Sequence, residues 1–132
     1  MNGGEQALAI GETTGSDVNA EAGGLSTEVI FTTLSNRRRR YALHYLAQVG
    51  DSVTIRDLSE QIAAWENRID RRAVTPKQRK RVYTALHQSH LPKMDRLGAV
   101  AYDRDRGTVA TTEHLDAFDI YLDVVPRDDI PW

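Results

Sequence analysis

The sequence predicts an α+β fold that is mainly α, with a small β-hairpin near its C-terminal end. Three observations carry that prediction. Apolar residues recur at helical spacing through most of the stretch from Leu25 to Leu97. Capping and stop residues cut that stretch into separate helices. After Gly98 the pattern changes to two short β-like runs, Ala99–Tyr102 and Thr108–Thr111, around the turn Asp103–Gly107.

Each element has a local reason. Residues 1–24 are rich in Gly, Glu, Ser, Thr and Asn and poor in large apolar side chains, so they read as a disordered acidic tail. Ser26 can cap a first helix carrying Val29, Ile30 and Leu34. Asn36 can cap a second, with Ala42, Tyr45, Leu46 and Val49 inward and Gly50 as its stop. Thr54 starts a third, with Asp57 in the capping-box position and Ile55, Leu58 and Ile62 on its apolar face. The polar stretch from Trp65 to Val74 reads as a helix end plus a loop. Thr75-Pro76 opens a fourth helix, because proline at the first helical position has the right φ and needs no N–H partner. That helix is expected to reach about His90 and to break or kink at Leu91-Pro92. Leu115, Phe118, Ile120, Tyr121 and Leu122 then predict a last helix over 113–125. The expected organisation is a tail over 1–24, a domain over 25–112, the last helix as a dimerisation element, and an extended tail over 126–132.

The chain has 132 residues, 17 of them basic and 19 acidic, and no cysteine. That length suits one domain. Without cysteine there is no disulfide scaffold, thiol nucleophile or thiolate metal site. No apolar run is long enough for a membrane span, and neither a signal peptide nor a membrane partner is expected. The net charge of −2 conceals an uneven distribution. Met1–Asn36 holds five acids and no Lys or Arg, Arg37–Arg96 holds fourteen basic and six acidic residues, and Leu97–Trp132 holds three basic and eight acidic. A basic middle of +8 points to polyanions such as nucleic acid. An intramolecular alternative stays open, in which these arginines pair with the acidic flanks.

Four helices followed by a hairpin is the order of a winged helix-turn-helix. In that arrangement a helix fills the DNA major groove and the hairpin touches the backbone or minor groove beside it. The segment Leu34-Ser-Asn-Arg-Arg-Arg-Arg-Tyr-Ala-Leu-His-Tyr-Leu46 resembles the opening helix of ArsR-type winged-helix repressors. Val53-Thr-Ile-Arg-Asp-Leu-Ser-Glu-Gln-Ile-Ala63 is similar to the helix before their recognition helix. Arg79-Lys-Arg-Val-Tyr83, Leu86, His90-Leu-Pro-Lys-Met-Asp95, Leu97-Gly98 and Tyr102-Asp103 resemble a haloarchaeal winged-helix group with little assigned function. The resemblance spans Ser26 to Thr112. It implies a DNA-binding transcriptional regulator in an archaeal cytoplasm of molar salt, where scarce lysine and abundant acids are expected. The chain departs from the pattern in lacking a cysteine sensor site, in its long 65–74 loop, and in a wing tip whose Asp103 and Asp105 offset Arg104 and Arg106.

The expected DNA-binding residues are Lys77, Gln78, Lys80, Arg81, Thr84 and Gln88 on the fourth helix, with Arg104 and Arg106 on the wing. Arginine grips guanine bidentately, glutamine pairs with adenine, and lysine binds phosphate. Arg79 is expected to form a structural ion pair. Arg37–Arg40 point in four directions on a helix, so one or two are expected to be structural. Leu115, Phe118, Tyr121 and Leu122 are the expected dimer contacts. His87 and His90 share a helix face but lack a third ligand, so no metal or cofactor is expected. No Gly-rich phosphate loop, G-x-S-x-G or H-E-x-x-H motif is present, and no enzyme is expected. The expected partners are double-stranded DNA and a second copy of the chain. The alternative is a winged-helix module for protein–protein contact without DNA binding, and a weaker third reading is RNA binding.

Overall fold

Ser26 begins the first helix because its side-chain oxygen accepts the Val29 N–H at 3.2 Å, satisfying an amide the helix itself cannot. The structure is a computed structural model that describes the backbone of residues 18–19 and 24–122 and the side chains of residues 25–119. Most of the expected acidic tail, all of the 126–132 segment and the last residues of the expected 113–125 helix lie outside the described residues. Within the tail, β1 (Val18–Asn19) pairs antiparallel with β2 (Gly24–Leu25).

Helix α1 (Thr27–Leu34) leads into α2 (Arg37–Val49) through Asn36, whose Oδ1 accepts the Arg38 and Arg39 N–H groups at 2.9 and 3.3 Å. Gly50 ends α2 in the left-handed region, φ 76°, where a side chain would be strained. Strand β3 (Val53–Thr54) is followed directly by α3 (Ile55–Asn67). Thr54 caps α3 through the Asp57 N–H, but the expected return bond of a capping box is not made. The Asp57 carboxylate lies 3.1 Å from Arg71 instead.

Helix α3 ends at Asn67, inside the stretch expected to hold a helix end and a loop. Trp65 belongs to its buried face, packed against Tyr41, His44 and Tyr45 of α2 at centroid distances of 5.4, 5.5 and 6.3 Å. Burial of a large aromatic ring outweighs the weak helix preference of the polar residues around it. The remaining loop is ordered by its own bonds. Asp70 caps the short 3₁₀ turn Arg71–Ala73, and Arg71 reaches back to Glu60 at 2.8 Å.

Helix α4 (Pro76–Ala85) continues without a break through a π turn (Leu86–His90) into α5 (Leu91–Arg96). The helix changes character where an interruption is expected, the π turn ending at His90 and α5 starting at Leu91-Pro92, but the chain stays helical through it. Pro92 has no N–H and its ring would meet the carbonyl four residues back in a regular helix. In the wider turn the Leu91 N–H donates to the Leu86 carbonyl, and the chain passes the proline without a kink that ends it.

Strands β4 (Val100–Asp103) and β5 (Thr108–Thr111) form the expected hairpin. A third strand joins the hairpin from before α3. In the fold, β3 pairs with β5, Val53 opposite Val109 and Thr54 opposite Thr108, so the sheet has three antiparallel strands in the order β3-β5-β4. Helix α6 (Leu115–Leu122) follows. Leu46, Leu58, Ile62, Leu86, Leu91, Met94, Val109 and Phe118 are fully buried and join the helices to the sheet in one core. The class is α+β, mainly helical with a small sheet. Among the described residues no helix is long and apolar enough to cross a membrane.

Candidate functional site

The strongest local geometry in the chain begins α4. The Gln78 N–H donates to Thr75 Oγ1 at 3.1 Å, and the Thr75 N–H donates to Gln78 Oε1 at 2.9 Å, a complete capping box with Pro76 inside it. Val82 and Leu86 turn inward and anchor the helix against α3. At 100° per residue, Lys77, Lys80, Arg81 and Thr84 then fall on the opposite side, and all four are exposed. Gln88, on the π turn, is exposed as well. From Arg71 to Met94 the chain contains no acid. Among the described residues, none of Lys77, Lys80 and Arg81 forms an ion pair.

Two expected members of the face have other duties. Gln78 is half-buried and its carbonyl oxygen is committed to the capping box, so it is a helix-start residue before it is a base reader. Arg79 lies on the inner side, with Nη1 3.8 Å from Glu60, as a structural ion-pair partner.

The hairpin is drawn onto α4 and the π turn. Arg104 Nη2 lies 3.3 Å from His87 Nε2, and His87 Nδ1 lies 2.6 Å from the Tyr102 hydroxyl. A guanidinium only donates, so in the neutral ring Nε2 accepts and Nδ1–H donates to Tyr102. Tyr83 stacks on the other side of His87 at 6.0 Å. The Tyr102 phenol is held above its usual pKa by burial, with Tyr83 reinforcing the shift, and it stays protonated. Arg106 is exposed and sits 3.9 Å from Asp103, a loose pair. Gly107, φ 66°, closes the turn and its carbonyl accepts the Ile55 N–H at 2.8 Å, which ties the hairpin to the start of α3. Sequence reasoning did not single out His87 as this junction. The only signal was Tyr83 and His87 at i, i+4 on one helix face.

The Arg37–Arg40 run is mostly structural. Arg38 forms a two-pronged pair with Glu66, including Nη2 to Oε1 at 3.0 Å, and this partner raises its pKa further. Arg39 donates to the Thr33 and Thr32 carbonyls at 2.9 and 3.0 Å, and Arg40 to the Leu34 carbonyl at 2.7 Å. These cations satisfy the open carbonyls at the end of α1. Arg39 also meets His90 Nδ1 at 3.3 Å. Among the described residues no three His, Asp or Glu side chains converge as a metal site.

The expected dimer contacts are placed otherwise. Phe118 has no exposed surface and belongs to the core of its own chain, while Leu115 packs against that core. Phe118 is therefore covered within its own chain, whereas Leu115 keeps part of its surface exposed. Helix α6 folds back on α2, because Phe118 gains more by filling the chain's own core than by waiting for a partner. The side chains of Tyr121 and Leu122 lie outside the described residues.

Residues 31–110 match the model of a domain of unknown function, DUF7344. The chain belongs to the DUF7344 family. No match was found among curated proteins or among solved structures. The DUF7344 segment starts inside α1 and ends inside β5, so it contains the arginine run, the capping box, the exposed face of α4 and most of the hairpin. Helix α6 and the β1–β2 pair lie outside it.

Proposed function

We propose that this DUF7344 chain is a winged helix-turn-helix transcriptional regulator that binds double-stranded DNA with sequence specificity, α4 entering the major groove and β4–β5 serving as the wing. The observation that carries the reading is the exposed, acid-free face of α4, Lys77, Lys80, Arg81 and Thr84, on a helix whose start is held by a full capping box. A helix fits the major groove, and these side chains are phosphate and base-edge ligands. The β3 strand supports the same reading, since it ties the hairpin to the start of α3, the helix packed against α4. The reading includes no catalytic step and no cofactor.

A homodimer is the natural partner of such a module, because paired half-sites double the contact. Its interface would use surface other than Phe118. Sedimentation in high salt tests it, and a monomer at micromolar concentration overturns it.

The DNA test is a gel shift of Lys80→Ala with Arg81→Ala at near-molar KCl, after selection of a binding sequence. At about 1 M salt the Debye length is about 3 Å, so contact rather than long-range attraction must hold the complex. The double variant is expected to lose binding. Unchanged affinity overturns the assignment of α4.

A protein–protein module without DNA binding is the second reading. It is favoured by the wing tip, where Asp103 engages Arg106 and Arg104 is turned onto His87.

A further inference from the structure

Beside the exposed face of α4 lies a notch of about 380 Å³ between the first turns of α3 and α4, lined by Arg56, Pro76, Arg79, Lys80 and Tyr83. Its chemistry is divided. The walls are almost wholly apolar, and Tyr83 among them is 37% exposed despite its size. The rim is cationic. Arg56 and Lys80 are exposed and form no ion pair among the described residues, and Arg79 has only the 3.8 Å contact to Glu60. Glu60 is itself shared with Arg71 at 2.8 Å, so the notch keeps an excess of positive charge.

We infer that this notch seats one sugar–phosphate unit of the DNA backbone: Arg56 and Lys80 hold the phosphate and Tyr83 packs against the deoxyribose. This rests on the DNA-binding reading and names a contact that reading does not contain. A carbon-walled cleft with cations only at its mouth suits a ligand that is apolar on one side and anionic on the other. A bare inorganic anion would leave the walls uncovered. The contact is blind to sequence and sets where α4 lies along the groove, because phosphate contacts position a protein while base contacts specify the site.

The test compares wild type, Arg56→Ala, Tyr83→Ala and Tyr83→Phe on a mixed-sequence duplex, from low to near-molar KCl. Arg56 is exposed on a helix, so its alanine variant should fold. Removing it is expected to weaken binding about tenfold at low salt and to reduce the slope of log affinity against log salt by about 0.9. Tyr83→Ala is expected to weaken binding with the slope unchanged, since it carries no charge, and Tyr83→Phe to bind like wild type. An unchanged slope for Arg56→Ala, with wild type binding normally, overturns the notch and leaves the DNA reading standing. Tight binding of a deoxynucleoside monophosphate that does not compete with duplex also overturns it, because the ligand is then a free nucleotide. Failure of wild type to bind any duplex overturns both readings.

Discussion

Arg39 Nη1 lies 3.3 Å from His90 Nδ1, joining the first turn of α2 to the π turn fifty-one residues later. Because the guanidinium can only donate, this nitrogen of His90 must be unprotonated. Burial, with the Arg39 and Arg38 charges behind it, holds the His90 pKa below its ordinary 6.5.

That depression predicts acid sensitivity. The unfolded chain takes up the His90 proton near 6.5, whereas the folded chain resists it to lower pH. In the interval between, the unfolded state binds more protons, so the stability that the neutral ring contributes is present above 6.5 and is lost as pH falls. Urea unfolding at about pH 7.5 and about pH 5 should show this loss, and His90→Gln should flatten it. An equal pH dependence in wild type and variant would remove His90 as its source.

Phe118 decides between two roles for α6. As a core side chain, its replacement by alanine is expected to cost about 3–5 kcal/mol of folding stability. Denaturant melts at several protein concentrations measure this. Stability retained, with only the oligomeric state changed, would return Phe118 to an interface.

The capping box is testable apart from function. Thr75→Ala removes the acceptor for the Gln78 N–H and is expected to cost about 1 kcal/mol. Thr75→Ser should recover most of it. A loss confined to α4, seen by amide exchange, would distinguish fraying of that helix from global destabilisation.

His87 should hold the hairpin against the helix that carries it. Tyr102→Phe deletes one 2.6 Å bond and is expected to cost about 1 kcal/mol, leaving the Arg104 contact in place. His87→Ala removes both contacts and should raise amide exchange in β4 selectively. Unaltered exchange across Val100–Asp103 would show that strand pairing and the Tyr102 N–H bond to Asp95 hold the hairpin without His87.

Much of this was legible locally. Ser26, Asn36, Thr54 and Thr75 each satisfy amides two or three residues away, so helix starts could be read from neighbours in the chain. The exposed side of α4 followed from periodicity alone. Pro92 marked where the helix is interrupted but not the form of the interruption, because that depends on whether the turn before it can widen, and that turn is held by Leu86 and Leu91 in the core. Gln78 was legible as a polar member of the helix face but not as a capping residue, because one side chain has two plausible roles and the local one has the shorter reach.

The amino-acid sequence by itself determined the helix starts, the hairpin, the α+β class and the concentration of positive charge between Arg37 and Arg96. These depend on capping, turn chemistry and composition, which act over a few residues. Only the tertiary structure decided which charges are spent and which remain. Arg38, Arg39 and Arg40 are taken up by Glu66 and the end of α1, Arg71 and Arg79 by Glu60, and Arg104 by His87. Lys77, Lys80 and Arg81 stay at the surface because the inward side of α4 is filled by Val82 and Leu86. Partners distant in the chain set the destination of a charge, and distance in the chain is what local pattern cannot span.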